Sequence, residues 1–282
     1  MQDLLRSVSN SYPEFSSGQK KVGDLFFKEP IFLAFSSALE VGRRVNVSES
    51  TVIRWTQKLG YKGYAEFQQV VQRKLAEERL DKAEQKIPEP VADQSFLENL
   101  LDADILSIVK LKKSINEDKL LQVVDKISQA DRVYVTGNFF DYGIAHWFAS
   151  WLNLALNHTE MMYSSTGEYY TQLSKLEKGD LVIAFVFPRY TRIVIDTLRS
   201  AKEQGAKVIV LTDSEESPAC DYADYVLTVS VNSNLSIDSY TSVHALLTSI
   251  MRFVYVKDQV KINRNLAKVE AVYKERNLFI PY

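Results

Sequence analysis

The chain has 282 residues, with 34 Lys plus Arg against 36 Asp plus Glu and a formal net charge of −2. A hydrophobic share of 46% and a charged share of 25% fit one large or two modest globular domains and exclude a disordered, collagen-like or disulfide-scaffold protein. The longest apolar run, 181–187, falls far short of the ~20 residues of a membrane helix. The opening MQDLLRSVSN has no apolar core for a signal peptide, and the single cysteine, Cys220, can form neither an intrachain disulfide nor a cysteine metal cluster. A cytoplasmic protein with no membrane partner, no metal and no cofactor is expected.

The charge is unevenly spread. Residues 1–88 carry 14 basic and 11 acidic side chains, so the remainder is net −5; within 40–75 the count is 7 against 3. A local basic face is the usual footprint of a polyanion partner, although a solvated surface gives the same count. Residues 76–95 are polar and contain Pro88 and Pro90. Proline pushes its predecessor out of the helical region, so a helix through the 70s should end by about Ile87. The expected division is a first domain over 1–79, a linker and connecting helix start over 80–104, and a second domain over 105–282.

In chain order, Val22, Leu25 and Phe26 share one face of a helix over 19–28, which Pro30 should end. A second helix is expected over 37–45, capped by Ser36 or Ser37. Asn46 suits a sharp left-handed turn. Ser48 is the N-cap of a third helix running to about Lys58, and Gly60 stops it. Val41, Gly42, Val45, Val47 and Val52 fall where a helix-turn-helix needs inward contacts, with Ile53 and Trp55 packing on the first helix. Such a motif presents the start of its second helix to the major groove. That surface carries Ser48, Glu49, Ser50, Thr51 and Arg54, with Lys58 further along, and Arg43, Arg44 and Lys62 flank it for phosphate contacts. The bland alternative is a plain trihelical bundle with capped helices.

Val47, Ser48, Thr51, Val52 and Arg54, followed by Leu59, Gly60, Tyr61, Lys62, Gly63 and Tyr64, resemble the recognition segment of the RpiR family of bacterial transcriptional regulators. The resemblance implies a double-stranded operator as partner. Gly42 stands where the family usually has alanine, a small-for-small exchange expected to be tolerated.

The second half alternates strands with helices. Residues 96–115 are amphipathic, with Leu97, Leu100, Leu101, Ile105 and Ile108 on one face, directed to the sheet or to another subunit. Strands are expected at 132–137, 159–163, 181–187, 207–212 and 225–231, and helices at 141–156, 191–204 and 238–258 with one more beyond. The fold class is therefore an all-α helix-turn-helix bundle followed by a parallel-sheet α/β sandwich. Ligands of such sheets bind beyond the carboxyl ends of the strands, here loops 137–143, 187–191 and 212–218.

This order resembles the sugar isomerase (SIS) domain, the phosphosugar-binding module of the same family, and implies a homodimer or homotetramer. The departures lie in the loops. The family's Gly-x-Gly-x-Ser reads Gly137, Asn138, Phe139, Phe140, Asp141 here, and its Ser-x-Ser-Gly-x-Thr reads Val186, Phe187, Pro188, Arg189, Tyr190, Thr191. Asn138, Asp141, Arg189, Tyr190, Thr191 and Thr212 are the candidate effector-binding residues. Arg189 either holds an anion or neutralises Asp141. The loops leave open a retained sugar phosphate, a different metabolite, or a pocket that serves dimerisation alone. Phe139 with Phe140, and Tyr169 with Tyr170, read as pocket walls or, more simply, as packing.

An isomerase is the enzymatic alternative. It needs a positioned acid and base. His146, His158 and His244 stand in no catalytic spacing, Glu168 fits a helix start, and no nucleotide, serine-hydrolase or zinc motif occurs, so no catalytic residue is assigned. The expected function is a DNA-binding regulator of carbohydrate metabolism controlled by a sugar phosphate or related metabolite.

Overall fold

The computed structural model describes residues 1–84, 96–234 and 237–280. The chain divides into two compact units. One comprises Met1–Ala92 with the short segments Glu216–Pro218 and Ser233–Ile237; the other comprises the remainder.

Residues 1–84 of the first unit form helices: α1 (Gln2–Ser11), α2 (Ser17–Lys28), α3 (Pro30–Phe35), α4 (Ala38–Arg44), α5 (Glu49–Lys58) and α6 (Tyr64–Glu84). Local sequence dictates the breaks. Ser16 and Gln19 close a capping box on α2, and Ser37 and Glu40 close one on α4, so the cap there is Ser37 while Ser36 is buried. Pro30 does more than end the preceding helix. It opens α3 as its first residue, where its missing N–H costs nothing. The carbonyls left over at the end of that short helix are met from α6: Tyr64 donates to Leu33 at 2.7 Å and Gln72 to Ala34 at 2.6 Å. Trp55 is fully buried at the centre, edge-on to Phe67 at 4.9 Å and tilted to Phe26 of α2 at 5.9 Å. The expected helix end near Ile87, with Pro88 and Pro90, lies outside the described residues.

The second unit contains α7 (Phe96–Ser114), α8 (Glu117–Gln129), β1 (Val133–Thr136), α9 (Phe140–Leu156), β2 (Thr159–Met162), α10 (Glu168–Ser174), β3 (Leu181–Phe185), α11 (Arg192–Glu203), β4 (Lys207–Thr212), β5 (Tyr225–Thr228), α12 (Thr241–Lys257) and α13 (Gln259–Glu275). The described residues of the segment Ser233–Ile237 belong to a separate two-stranded sheet of β6 (Asn232–Asn234) and β7 (Ile237–Ser239). Two expected boundaries shift. The strand expected over 225–231 stops at Thr228, and the helix expected from 238 starts at Thr241 because Ile237–Ser239 pairs with β6 instead. α7 begins at Phe96, inside the 80–104 stretch expected to hold a linker and the start of a connecting helix, and packs on α12.

The five-stranded sheet is parallel throughout, in the order β2-β1-β3-β4-β5. Val133, Val135, Leu181, Ile183, Phe185, Ile209 and Leu211 face one layer, where they join α8, α9 and α12 in a single apolar core. Their neighbours along each strand point the other way, where α11 packs on β3 and β4. Both faces are covered, which is why β3 reads as an unbroken apolar run. The lone Cys220 is partly buried beside the carbonyl of Ser214, 3.6 Å away. Among the described residues no helix is long and apolar enough to cross a membrane.

Most of the apolar stripe expected on α7 is open in the single chain: Leu97, Leu101, Ile105 and Ile108 are exposed and Leu100 is half-buried. The alternative of burial on the sheet therefore fails for these four side chains.

Candidate functional site

Two regions carry the candidate residues, one in each unit. In the first, α4 and α5 meet across the turn 45–48. Asn46 takes φ 55°, the left-handed value its side chain tolerates. Gly42 lies where the helices close: a Cβ there would stand 2.7 Å from the Val47 carbonyl oxygen, which is backbone and cannot swing away. In this chain the exchange with alanine is therefore not the neutral one expected from residue size.

Ser48 caps α5, its Oγ accepting the Thr51 N–H at 3.3 Å and lying 2.9 Å from the hydroxyls of both Ser50 and Thr51. At the other end, Gly60 at φ 91° lets its own N–H donate to Gln57 and that of Tyr61 to Thr56, the paired bonds of a Schellman motif. Both helix ends are thus locked, and the exposed start of α5 is held at a defined angle.

The candidate cations separate into two groups. Arg43 and Lys62 are exposed, with side chains that make no ion pair among the described residues, and Arg54 only grazes the Ser50 hydroxyl at 3.3 Å. Arg44 instead pairs with Glu29 at 2.8 Å and lies over the Phe32 ring, and Lys58 donates to the Glu14 carbonyl with the Glu14 carboxylate 4.0 Å away. Those two are engaged in holding α4 and α5 to the rest of the bundle. Glu49 is exposed in the first turn of α5, where its charge suits the helix dipole.

In the second unit the strand order reverses between β1 and β3, which marks the switch point where doubly wound sheets open a crevice. A cavity of about 230 Å³ lies there, lined by Asn138, Phe139, Phe140 and Asp141 after β1, by Phe187, Pro188, Arg189 and Thr191 after β3, and by Asp238 and Tyr240 ahead of α12. Asp141 is 8% exposed; its Oδ2 accepts the Phe187 N–H at 3.2 Å and its Oδ1 the Tyr240 hydroxyl at 2.6 Å. Asn138 donates to Ser164 at 2.9 Å and accepts the Phe139 N–H at 2.9 Å.

Four of the six candidate effector residues line this cavity; two do not. Tyr190 is buried with its hydroxyl on Asp213 at 2.9 Å, and Thr212 is fully buried with its hydroxyl on the Val186 carbonyl at 2.6 Å. Both tie the loop bases together. The pairing of Arg189 with Asp141 does not form either: the guanidinium lies over the Phe140 ring, 5.9 Å from its centre. Phe139 and Phe140 are exposed cavity walls and not buried packing, whereas Tyr169 is buried against Thr197 at 2.7 Å. Asp238 and Tyr240 were outside the sequence reading of the site, while Phe187 lay in the expected loop 187–191 without being singled out as a candidate. Tyr240 lies 99 positions from Asp141, and only the fold joins them.

Both loops hold a non-glycine residue in a backbone conformation that favours glycine: Phe139 at φ 50° and ψ −116°, and Arg189 at φ 82°. They are the two positions at which this chain departs from a glycine of the resembling loop motifs, and both conformations carry a cost in strain.

None of the three histidines lines the cavity. Burial pushes His158 and His244 below the usual imidazole range, so the neutral form is favoured in both. His244 packs edge-on against Trp147 at 4.9 Å. Among the described residues no cluster of His, Cys, Asp and Glu could hold a metal ion.

Comparison with known proteins bears on both units. The model of the rpiR-family helix-turn-helix domain matches residues 2–78, and that of the SIS domain matches residues 126–254. The chain belongs to the RpiR family. It is 25% identical over 240 residues to an HTH-type transcriptional regulator of Haemophilus influenzae, an alignment covering 82% of this chain and 80% of the relative. It is 21% identical over 243 residues to one of Thermotoga maritima, covering 85% and 86%. Among solved structures, Vibrio vulnificus NanR, described in complex with ManNAc-6P, matches with a TM-score of 0.66 at 18% identity, covering 99% of this chain and all of that one. The sugar isomerase domain of an RpiR transcription factor from Sphaerobacter thermophilus matches with a TM-score of 0.60 at 24% identity, covering 63% of this chain and 99% of that one. This RpiR-family chain is thus a helix-turn-helix regulator carrying a SIS domain.

Proposed function

We propose that this regulator binds a double-stranded operator through α4 and α5, and that a carbohydrate metabolite, a sugar phosphate or a related molecule, occupies the cleft at the β1/β3 switch point and sets DNA affinity. The observation that carries the reading is that cleft, with aromatic walls and a few convergent polar groups, on the same chain as an exposed, doubly capped recognition helix. Ser48, Ser50, Thr51 and Arg54 face the groove, with Glu49 at its edge, and Arg43 and Lys62 meet phosphates. NanR, described with ManNAc-6P, supports a carbohydrate-type effector.

The SIS-type domain acts as a sensor and not as an isomerase. Isomerisation needs a base free to take a proton from carbon. Of the two carboxylates on the wall, the buried Asp141 already accepts hydrogen bonds on both oxygens and Asp238 is the other, and none of the three histidines lines the cavity to complete an acid–base pair. The exposed leucine and isoleucine stripe of α7 supports assembly as a homo-oligomer, which a helix-turn-helix protein uses to span two half-sites. A cytoplasmic location follows from an operator as partner.

The test is a titration of labelled upstream DNA at several salt concentrations, with the wild type and Arg54→Ala compared. Affinity that falls with salt, and falls further in the variant, is the expected result. Equal, salt-independent affinities would overturn the DNA reading.

A further inference from the structure

The cleft already contains an anion of its own. Asp141 sits in the first turn of α9, almost wholly buried, with one carboxylate oxygen on the Phe187 N–H at 3.2 Å and the other on the Tyr240 hydroxyl at 2.6 Å. Backbone N–H groups beyond a strand end, beside a helix N-terminus, are the groups that receive a phosphate in clefts of this kind. Here one of those N–H groups is occupied by the carboxylate, and the next residue, Pro188, has no N–H to offer.

The rest of the wall does not reverse the balance. Among the described residues its charged side chains are Asp141, Asp238 and Arg189, so acid outnumbers base. Arg189 is exposed and lies over the Phe140 ring at the rim. A phosphate brought to the Phe187 N–H would meet the Asp141 carboxylate at contact distance, with two like charges sharing one donor. A sugar hydroxyl meets the same carboxylate as a hydrogen-bond donor, and the faces of Phe139, Phe140, Phe187 and Tyr240 suit the apolar C–H faces of a sugar ring.

We propose that Asp141 is the specificity-determining residue of the cleft: it stands in for the anion, so the effector is an uncharged polyol and phosphorylated ligands are turned away. This rests on the reading of the cleft as the effector site and narrows the ligand class within it.

Calorimetric titration of the full chain at matched ionic strength tests both. The probes are inorganic phosphate, glucose with glucose 6-phosphate, and N-acetylmannosamine with its 6-phosphate. Asp141→Asn and Asp141→Ser remove the charge, while Tyr240→Phe removes one hydrogen bond and keeps it. Inorganic phosphate is expected to bind both Asp141 variants at least tenfold more tightly than it binds the wild type or Tyr240→Phe, and the wild type is expected to prefer neither phosphorylated sugar to its parent. A wild type that binds either 6-phosphate tenfold more tightly than the parent sugar overturns the role of Asp141 and leaves the sensor reading intact. That preference needs no variant to fold. Absence of binding by any probe to any form, variants included, overturns the sensor reading and the role of Asp141 with it.

Discussion

Replacing Phe139 by glycine should stabilise the sensor domain, against the usual effect of introducing glycine. Phe139 is held at φ 50° and ψ −116°, a region open to glycine and hostile to a bulky side chain. Such strain costs about 1–3 kcal/mol. Glycine returns part of this, about 0.5–1 kcal/mol, through the greater freedom of its unfolded chain. Little burial is lost, because the Phe139 side chain is 76% exposed. The net gain is about 1 kcal/mol, which raises Tm by roughly 2–4 °C for a domain of this size. Differential scanning calorimetry of the unliganded chain measures it, with Phe139→Ala as the control that removes the ring and keeps the strain. A Phe139→Gly protein that melts at or below Phe139→Ala would refute the claim that this backbone is strained. Effector affinity should move the other way, since the aromatic wall is gone.

Gly42→Ala should destabilise the DNA-binding unit: the gain in helix propensity is about 1 kcal/mol, while overpacking against the Val47 carbonyl costs about 1–3 kcal/mol and shifts the turn that carries Ser48. Chemical denaturation and DNA titration should therefore fall together, and a more stable variant with unchanged DNA affinity would contradict the 2.7 Å approach. Lys58→Ala should lower the stability of the first unit and leave the salt dependence of DNA binding near wild type, because Lys58 is held by Glu14; Arg54→Ala should do the reverse, which paired melting and titration curves distinguish. At Asp224, burial pushes the carboxyl up, but hydrogen bonds from Lys207, Lys202 and the Val208 N–H outweigh it and hold the group below its ordinary value. A depressed carboxyl contributes stability above its unfolded pKa and loses it as pH falls through the folded one. Asp224→Asn should therefore melt below wild type at pH 7, with the gap closing below about pH 4, as a pH series of melting curves would record.

The DNA-reading unit was largely legible in the sequence because its determinants are local. Ser48 and Gly60 act on the helix between them, and Asn46 acts on its own φ. What was not legible there concerns side-chain partners far along the chain: Arg44 with Glu29 and Lys58 with Glu14 are joined only by packing of the bundle. The sheet followed from alternation, and so did two of the loops that line its crevice, but the side-chain partners inside it did not. Asp141 and Arg189 suggest an ion pair as letters. Instead, Tyr240, placed by the turn before α12, takes one oxygen of Asp141, and the positive φ of Arg189 accompanies a guanidinium set over Phe140. Loops departing from a motif show which side chains are replaced, but not that Phe139 and Arg189 take positive φ, which only the folded backbone reveals.

The lone Cys220 is chemically silent. Burial, with the nearby Asp221, Glu215 and Asp213, pushes its thiol up to about 11. Thiols react as thiolates, and at neutral pH this one is ionised in roughly one molecule in ten thousand. Oxidants and maleimides should therefore pass it over. A cysteine introduced at an exposed position such as Arg54 or Phe139 would be the one reactive thiol of the chain, so a fluorophore placed there would report on the recognition helix or the cleft rim without any need to remove the native residue.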